Sequence, residues 1–251
     1  MKNKKTYFAS DLHLGILSHP ESLVREKLFV SWLDQVKEDA DTIFLLGDIF
    51  DFWFEYKRVV PRGYTRLLGK LSEITDSGIP IHFFTGNHDI WVFDYLPRET
   101  GVILHRNSFQ WERLGKKFYL AHGDGLGPGD RSYKFLKSIF TSRTLQWLFA
   151  RLHPNFAIWF AEKLSENSRL SGASTEFLGE EKEFLIQYAY HLLEKENFDF
   201  FIFGHRHIPL DHILKNGSHF IYLGDWISHF TYGVFDGKDF SLKTYRRKGP
   251  S

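Results

Sequence analysis

The chain contains no cysteine. Disulfides and thiolate metal sites are therefore excluded, and the composition suits a reducing compartment. A strong charge of one sign is missing too: 32 Lys and Arg stand against 31 Asp and Glu, for a net charge of +1. That balance argues against electrostatic nucleic-acid binding by the chain as a whole. No uncharged apolar run reaches the ~18 residues that a bilayer span needs. A secretory leader is not expected either. Lys2, Lys4 and Lys5 are basic, but the apolar run behind them is short and meets Asp11. What the sequence has in quantity is aromatic side chains, 18% of the total, with 26 Phe. With 43% hydrophobic residues over 251 positions, one large domain with a sizeable core is expected across 1–251. The basic ends (Lys2 to Lys5; Arg246, Arg247, Lys248) suit an anionic membrane surface as well as they suit ordinary solubility.

Short apolar runs recur along the chain, each closing on Gly or a polar residue. They are "TYFASDLHLG" from Thr6, "TIFLLGDIFDFW" from Thr42, "IHFFTGNHD" from Ile81, "FYLAHGD" from Phe118 and "FDFFIFGHRH" from Phe198. Their composition and length read as buried strands. Helix-like stretches lie between the first three. "ESLVREKLFVSWLDQVKEDA" offers Leu23, Val24, Leu28 and Val36 as an apolar face, and "YTRLLGKLSEITDSG" ends on Gly78, a helix stop. The βαβ rhythm predicts an α/β fold. His219 to Tyr245 reads as short strands with a turn at Asp236-Gly237. The segment 131–171 breaks the rhythm and reads as a helical insertion. A further helix is expected from Glu180 to Glu196.

In open α/β sheets, ligands collect at the carboxyl ends of the strands. The residues there are Asp11, His13, Asp48, Asn87, His88, His122, His205 and His207. Asp11 and His13 are two apart, which on a strand places them on one face, and His205 and His207 repeat the spacing. Without His88 the set holds seven oxygen or imidazole donors, too many for one four-coordinate zinc. It suits two ions bridged by a carboxylate. Donors of this mix favour manganese, iron, cobalt or zinc over magnesium or calcium. Paired ions about 3.5–4 Å apart are the usual clamp for displacement at phosphorus. One Asp-x-His alone is a weak signal; five such blocks in order are a strong one.

Those blocks, "DLHL", "GDIFDFW", "GNHD", "HGD" and "GHRH", resemble the five signatures of the calcineurin-like metallophosphoesterases. The resemblance implies a four-layer α/β/β/α sandwich. It implies that Asp11, His13, Asp48 and His207 hold one ion and that Asp48, Asn87, His122 and His205 hold the other, with Asp48 bridging. A water acidified by both ions would attack phosphorus. His88 would contact the phosphate or protonate the leaving oxygen, and Asp89 would orient His88. The helical insertion after "HGD" and the "ENSR" of Glu166 to Arg169 are similar to the UDP-2,3-diacylglucosamine hydrolases of lipid A synthesis. That likeness implies cleavage of the pyrophosphate by attack at the α-phosphorus, releasing UMP and 2,3-diacylglucosamine 1-phosphate. Asn87, His88, Asp130, Asn167, Ser168 and Arg169 would contact substrate. Manganese is the expected metal, with zinc, iron or cobalt as alternatives. The expected setting is cytoplasmic, peripheral on the cytoplasmic face of the inner membrane. The best-known members carry Arg where this chain has His88.

"TLQWLFARLHPNFAIWF" (Thr144 to Phe160) lies inside the insertion. With a first helix from Thr144 to Leu152, Leu145, Leu148, Phe149 and Leu152 form one stripe, and Trp147 falls on the opposite face. After Pro154, a second stripe of Ala157, Phe160, Ala161 and Leu164 leaves Trp159 opposite. Thick core or a dimer interface would explain two apolar faces. A lid whose outer face, with Trp147 and Trp159, lines an acyl-chain cleft explains them as well. Two rival functions stay open: a phosphoesterase for a soluble phosphodiester or phosphomonoester, and a non-catalytic scaffold that binds a protein.

Overall fold

The computed structural model describes residues 4–16, 18–128, 131–170 and 176–246. Its layers follow from the apolar runs. In a strand, successive side chains point to opposite faces, so a run that is apolar at every position must be covered on both. One six-stranded sheet has the order β11-β10-β1-β2-β3-β4. It contains β1 (Lys5–Ala9), β2 (Ala40–Leu46), β3 (Ile81–Phe84), β4 (Ile103–His105), β10 (Thr231–Phe235) and β11 (Phe240–Thr244). β1 to β4 are parallel, and the β10–β11 hairpin is antiparallel and turns after Phe235, at the expected Asp236-Gly237. A five-stranded sheet has the order β5-β6-β7-β9-β8. It contains β5 (Phe109–Arg113), β6 (Lys116–Ala121), β7 (Phe200–Phe203), β8 (Pro209–Ile213) and β9 (His219–Leu223), with β6, β7 and β9 parallel.

The alternation then sorts the core into layers. Phe8, Phe44, Leu46 and Phe84 meet Phe118, Leu120, Phe200 and Ile202 between the sheets. Their neighbours Tyr7, Ala9, Ile43, Leu45 and Phe83 face the other way, onto α1 (His19–Val36) and α2 (Thr65–Asp76). Tyr119, Phe201 and Phe203 turn outward onto α7 (Phe184–Leu193). This is the expected α/β/β/α stack. Each fully buried Phe contributes ~1.5–3 kcal/mol.

Local signals set the helix ends. Ser18 and Glu21 form a capping box at the start of α1, and Gly78 follows α2 with φ 88°. The face of α1 differs from the expectation. Val36 is buried as expected, with Trp32 and Leu33 beside it, but Val24 is 67% exposed, and the first half of the helix buries Ser22, Arg25 and Glu26 in its place. The short elements α3 (Tyr95–Thr100), β4, β5 and β8 were beyond the periodicity argument, which needs longer runs than these supply.

Between β6 and β7 the chain forms α4 (Arg131–Phe140), α5 (Arg143–Phe149) and α6 (Pro154–Leu170), followed by α7. The Phe149 ring packs at a tilt against Phe54 and Trp91, the Trp91 indole donates to Phe140 O at 2.7 Å, and Ala161 packs in the same cluster as Phe52 and Phe54. The expected buried stripe on α5 is not there: Leu145, Leu148 and Leu152 are exposed, and α5 has no buried residue. Phe160 is exposed as well, although Ala157 and Ala161 are buried as expected. A helix of two turns meets the body along one line, and that line is taken by Phe149. The Leu164 side chain lies outside the described residues. No described helix is long and apolar enough to cross a membrane.

Candidate metal centre

The seven expected donors come together at the carboxyl ends of β1, β2, β3, β6 and β7. They do not get there by strand alternation. β1 ends at Ala9 and β7 at Phe203, so Asp11, His13, His205 and His207 lie beyond the strands. All four take positive φ, at 55°, 45°, 67° and 55°, and Asp48 does so at 52°. Among the described residues, five of the eight non-glycine positions with positive φ belong to this one site. Each costs on the order of 1–3 kcal/mol. Backbone bonds hold the strain in place: Asp11 N–H donates to Gly47 O at 3.0 Å and His13 N–H to Asp48 O at 2.9 Å. Arg25, buried on α1, donates to His13 O at 2.9 Å.

The donor atoms form two overlapping groups. In the first, His13 Nε2 is 3.1 Å from His207 Nε2, and Asp11 Oδ1 is 3.3 Å from His207 Nε2 and 3.9 Å from His13 Nε2. In the second, Asn87 Oδ1 lies 3.2 Å from His122 Nε2 and 3.0 Å from His205 Nδ1. Asp48 Oδ2 stands between the groups, 3.6 Å from His13 Nε2 and 3.2 Å from His122 Nε2. That is the position of a bridging carboxylate.

Lone pairs converging at such distances repel unless a proton or a metal ion lies among them, and the surroundings fit a metal. His122 Nδ1 donates to Leu46 O at 2.7 Å, which leaves Nε2 as the donor atom for a metal. His13 Nδ1 lies 3.3 Å from Asp51 Oδ1, and His207 Nδ1 lies 3.6 Å from Asp225 Oδ2. Such outer partners fix ring orientation in metal sites. Two glycines make room. A Cβ on Gly86 would fall 2.2 Å from Asp48 Oδ1, and one on Gly204 would fall 2.6 Å from Asp11 Oδ2.

The electrostatics agree. Burial alone would raise the Asp48 carboxyl, but His122 and His88 hold it well below the usual range. Asp11 is likewise lowered, its burial outweighed by His207. Burial pushes His122 and His207 down, yet the carboxylates of Asp48 and Asp11 pull them up to about 10. His205, buried and beside His122, falls to about 4. The cluster attracts positive charge, and protons compete with a metal for it.

His88 and Asp89 part company. His88 is half-buried at the rim, with Nδ1 3.1 Å from Asp51 O and 3.7 Å from Asp51 Oδ1. Asp89 does not orient it, which corrects the expectation. The Asp89 carboxylate is fully buried and accepts from Ile49 N–H at 2.9 Å, Phe50 N–H at 3.4 Å and Gly86 N–H at 2.7 Å. It ties the loop of Asp48 to the loop of Asn87. Burial and the neighbouring Asp48 push it up to about 7. Successive side chains on a tight loop point apart, so adjacency in sequence misled. Asp51 takes the orienting place. It was overlooked although it stands in the "GDIFDFW" block. Asp225 was missed too: it accepts from the N–H groups of Ile227, Ser228 and His229, and a second Gly-Asp after an apolar run was its only signal. Asp130, with the side chains of Asn167, Ser168 and Arg169, lies outside the described residues. Trp147 and Trp159 stand on α5 and α6, 56% and 55% exposed.

Comparisons with known proteins point to one family. A family model described as calcineurin-like phosphoesterase matches residues 4–209. A protein of Porphyromonas gingivalis named UDP-2,3-diacylglucosamine hydrolase is 40% identical, over 96% of this chain and 97% of its own length. A protein of that name from Histophilus somni is 30% identical over 89% of this chain and 92% of its own. Among solved structures, a dimetal phosphatase from Danio rerio shares the fold, with a TM-score of 0.50 and 14% identity over 97% of this chain and 96% of that one.

Proposed function

This chain belongs to the calcineurin-like phosphoesterase family, and from that premise we propose that it hydrolyses the pyrophosphate of UDP-2,3-diacylglucosamine. The products are UMP and 2,3-diacylglucosamine 1-phosphate. One observation carries the reading: the 40% identity to a protein of that name extends over 96% of the chain, and the seven donors named above stand together within it.

Asp11, His13, Asp48 and His207 would hold one divalent ion, and Asp48, Asn87, His122 and His205 a second. Bound there, such ions (manganese first, with zinc, iron or cobalt as alternatives) supply positive charge at the phosphate and an acidified water. Asp48 keeps the two groups in register. His88 serves the phosphate from the rim. With Nδ1–H donated to Asp51 O, Nε2 carries a proton only in the charged ring. The imidazolium can both clamp a phosphate oxygen and protonate the leaving oxygen.

The chain acts as one domain, with 131–171 as its lid. The exposed side chains of Trp147, Phe156, Trp159 and Phe160 offer the acyl chains an apolar face, worth ~0.8 kcal/mol for each CH₂ buried. The Arg151 guanidinium lies 4.5 Å over the Trp147 ring, so a cation accompanies that face. Asp130, Asn167, Ser168 and Arg169 are assigned to the glucosamine and its phosphate. On this reading the protein works at the cytoplasmic face of the inner membrane, as a peripheral protein.

The test is protein stripped of metal, reloaded with manganese and offered UDP-2,3-diacylglucosamine in oxygen-18 water. UMP should appear and carry the label. Label in the sugar phosphate would reverse the polarity of cleavage. Hydrolysis of small phosphoesters with no UMP from the lipid would instead establish a soluble substrate.

A further inference from the structure

The loop after β7, Gly204 to His207, places one donor in each group. His205 stands beside Asn87 and His122, and His207 beside His13 and Asp11. Both take positive φ, at 67° and 55°. Strained backbone of this kind persists only where its surroundings over-determine it. The main chain supplies part of that support: His205 N–H donates to Asp11 Oδ2 at 3.0 Å, and Arg206 N–H to Gly204 O at 2.7 Å. Arg206, the residue between the two donors, sends its side chain away from them toward α7.

There the guanidinium meets the Glu183 carboxylate as a fork, with Nη2 3.0 Å from Oε1 and Nε 3.3 Å from Oε2. Two parallel bonds fix direction as well as distance. Glu183 is only 3% exposed and stands at the cap position that opens α7. Its Oε2 accepts from Tyr222 OH at 2.9 Å and its Oε1 from Leu178 N–H at 3.2 Å. Tyr222 lies on β9, in register with Phe203 at the end of β7, the strand from which the donor loop leaves. Glu176 O, on the chain that returns from the insertion, accepts from Arg206 Nη2 at 3.3 Å. The fork therefore ties the donor loop to a helix, to its own sheet and to that returning chain.

We propose that Arg206, held by Glu183, is a positioning residue of the metal centre: it sets the backbone between His205 and His207, and so one donor of each group. It acts only through those two rings. The inference rests on the reading of the two donor groups as metal sites. The rival is a pair that does no more than stabilise α7. Electrostatics would mislead in neither case. A guanidinium and a divalent ion carry charge of the same sign, so losing the cation alone would favour metal. Losing the geometry works in the opposite direction.

The experiment titrates metal-stripped protein with manganese by calorimetry and records Tm for each chain. Arg206→Met and Glu183→Gln are combined, which removes one cation and one anion and leaves no buried charge unpaired. The folded double variant should bind both ions at least tenfold more weakly than wild type. Arg206→Lys keeps the charge but not the planar fork, and should stay several-fold weaker than wild type. Asp39→Asn is the control. Asp39 accepts from Lys5 Nζ at 2.8 Å and Tyr7 OH at 2.6 Å, at the end of the sheet opposite the donors. That variant should lower Tm and keep wild-type affinity for manganese. Wild-type affinity in the folded double variant overturns the positioning role. So does an equal loss in Asp39→Asn, since affinity would then follow stability alone. If the double variant does not fold, Arg206→Lys decides, and full affinity there overturns the role. A wild type that takes up no manganese removes the metal sites themselves, and the positioning role with them.

Discussion

The metal centre and α5 lie in one molecule and obey opposite rules. At the centre the carboxylates are buried, the backbone is strained, and the His13, His122 and His207 rings are each held on the side away from the donor cluster. On α5 no residue is buried, and Leu145, Trp147 and Leu148 are exposed. The difference fits what each region is proposed to hold. Ligand atoms must stay fixed to a fraction of an ångström before the ion arrives, because rearrangement on binding costs affinity. A flexible hydrocarbon asks only for apolar area and tolerates movement. One region stores strain to gain geometry; the other leaves apolar surface without protein cover.

The sharpest way to break that contrast is at the carboxylate between the two groups. Asp48→Ala removes the carboxylate shared by both groups. Metal content should fall for both ions, and activity should fall further than the ~10²–10⁴-fold span of general acid–base help. Elemental analysis and turnover check it together, and near-normal turnover would remove Asp48 from the bridge. His88→Ala probes the rim of the same region. It should keep its metal and lose ~10²–10⁴-fold in kcat, because the role proposed for His88 is at the substrate and not at an ion. Loss of metal in that variant would make His88 a ligand.

The contrast sharpens on the other side with Trp147→Ala combined with Trp159→Ala. The diacyl substrate should lose about tenfold in kcat/KM, which needs only ~1.4 kcal/mol. A small chromogenic phosphodiester should lose far less, and Tm should drop only slightly. A large drop in Tm would mean that these rings support the fold. The smallest effect is expected away from both regions. Burial, and then the neighbouring His105, lower His82 to about 4. The unfolded chain takes up a proton near pH 6.5 that the folded chain refuses until about pH 4. This contribution is complete above 6.5 and is lost as the pH falls toward 4. His82→Phe with His105→Phe should make the acid side of a Tm–pH curve shallower; an unchanged slope would assign the acid loss to other groups.

The donors were legible because each closes an apolar run, and strands that end together bring such residues together. Asp89 was misread because its role depends on two loops approaching each other, which its place beside His88 does not encode. Asp51 and Asp225 act through distances of 3.3 Å to His13 and 3.6 Å to His207, across loops far apart in the chain. The stripe on α5 failed for a different reason. Helical periodicity says which residues share a face, but it cannot say whether anything lies opposite that face.

The α/β class, the ordered donor set and the doubled apolar faces of 144–160 were determined by the sequence alone, since they rest on residue type, spacing and periodicity. Tertiary structure alone decided where the Asp89 carboxylate is engaged, which rings rest on Asp51, and which apolar residues remain exposed. Those are relations between segments distant in the chain. They come into being only when the sheets pack and the strand-end loops, strained into positive φ, are held against one another.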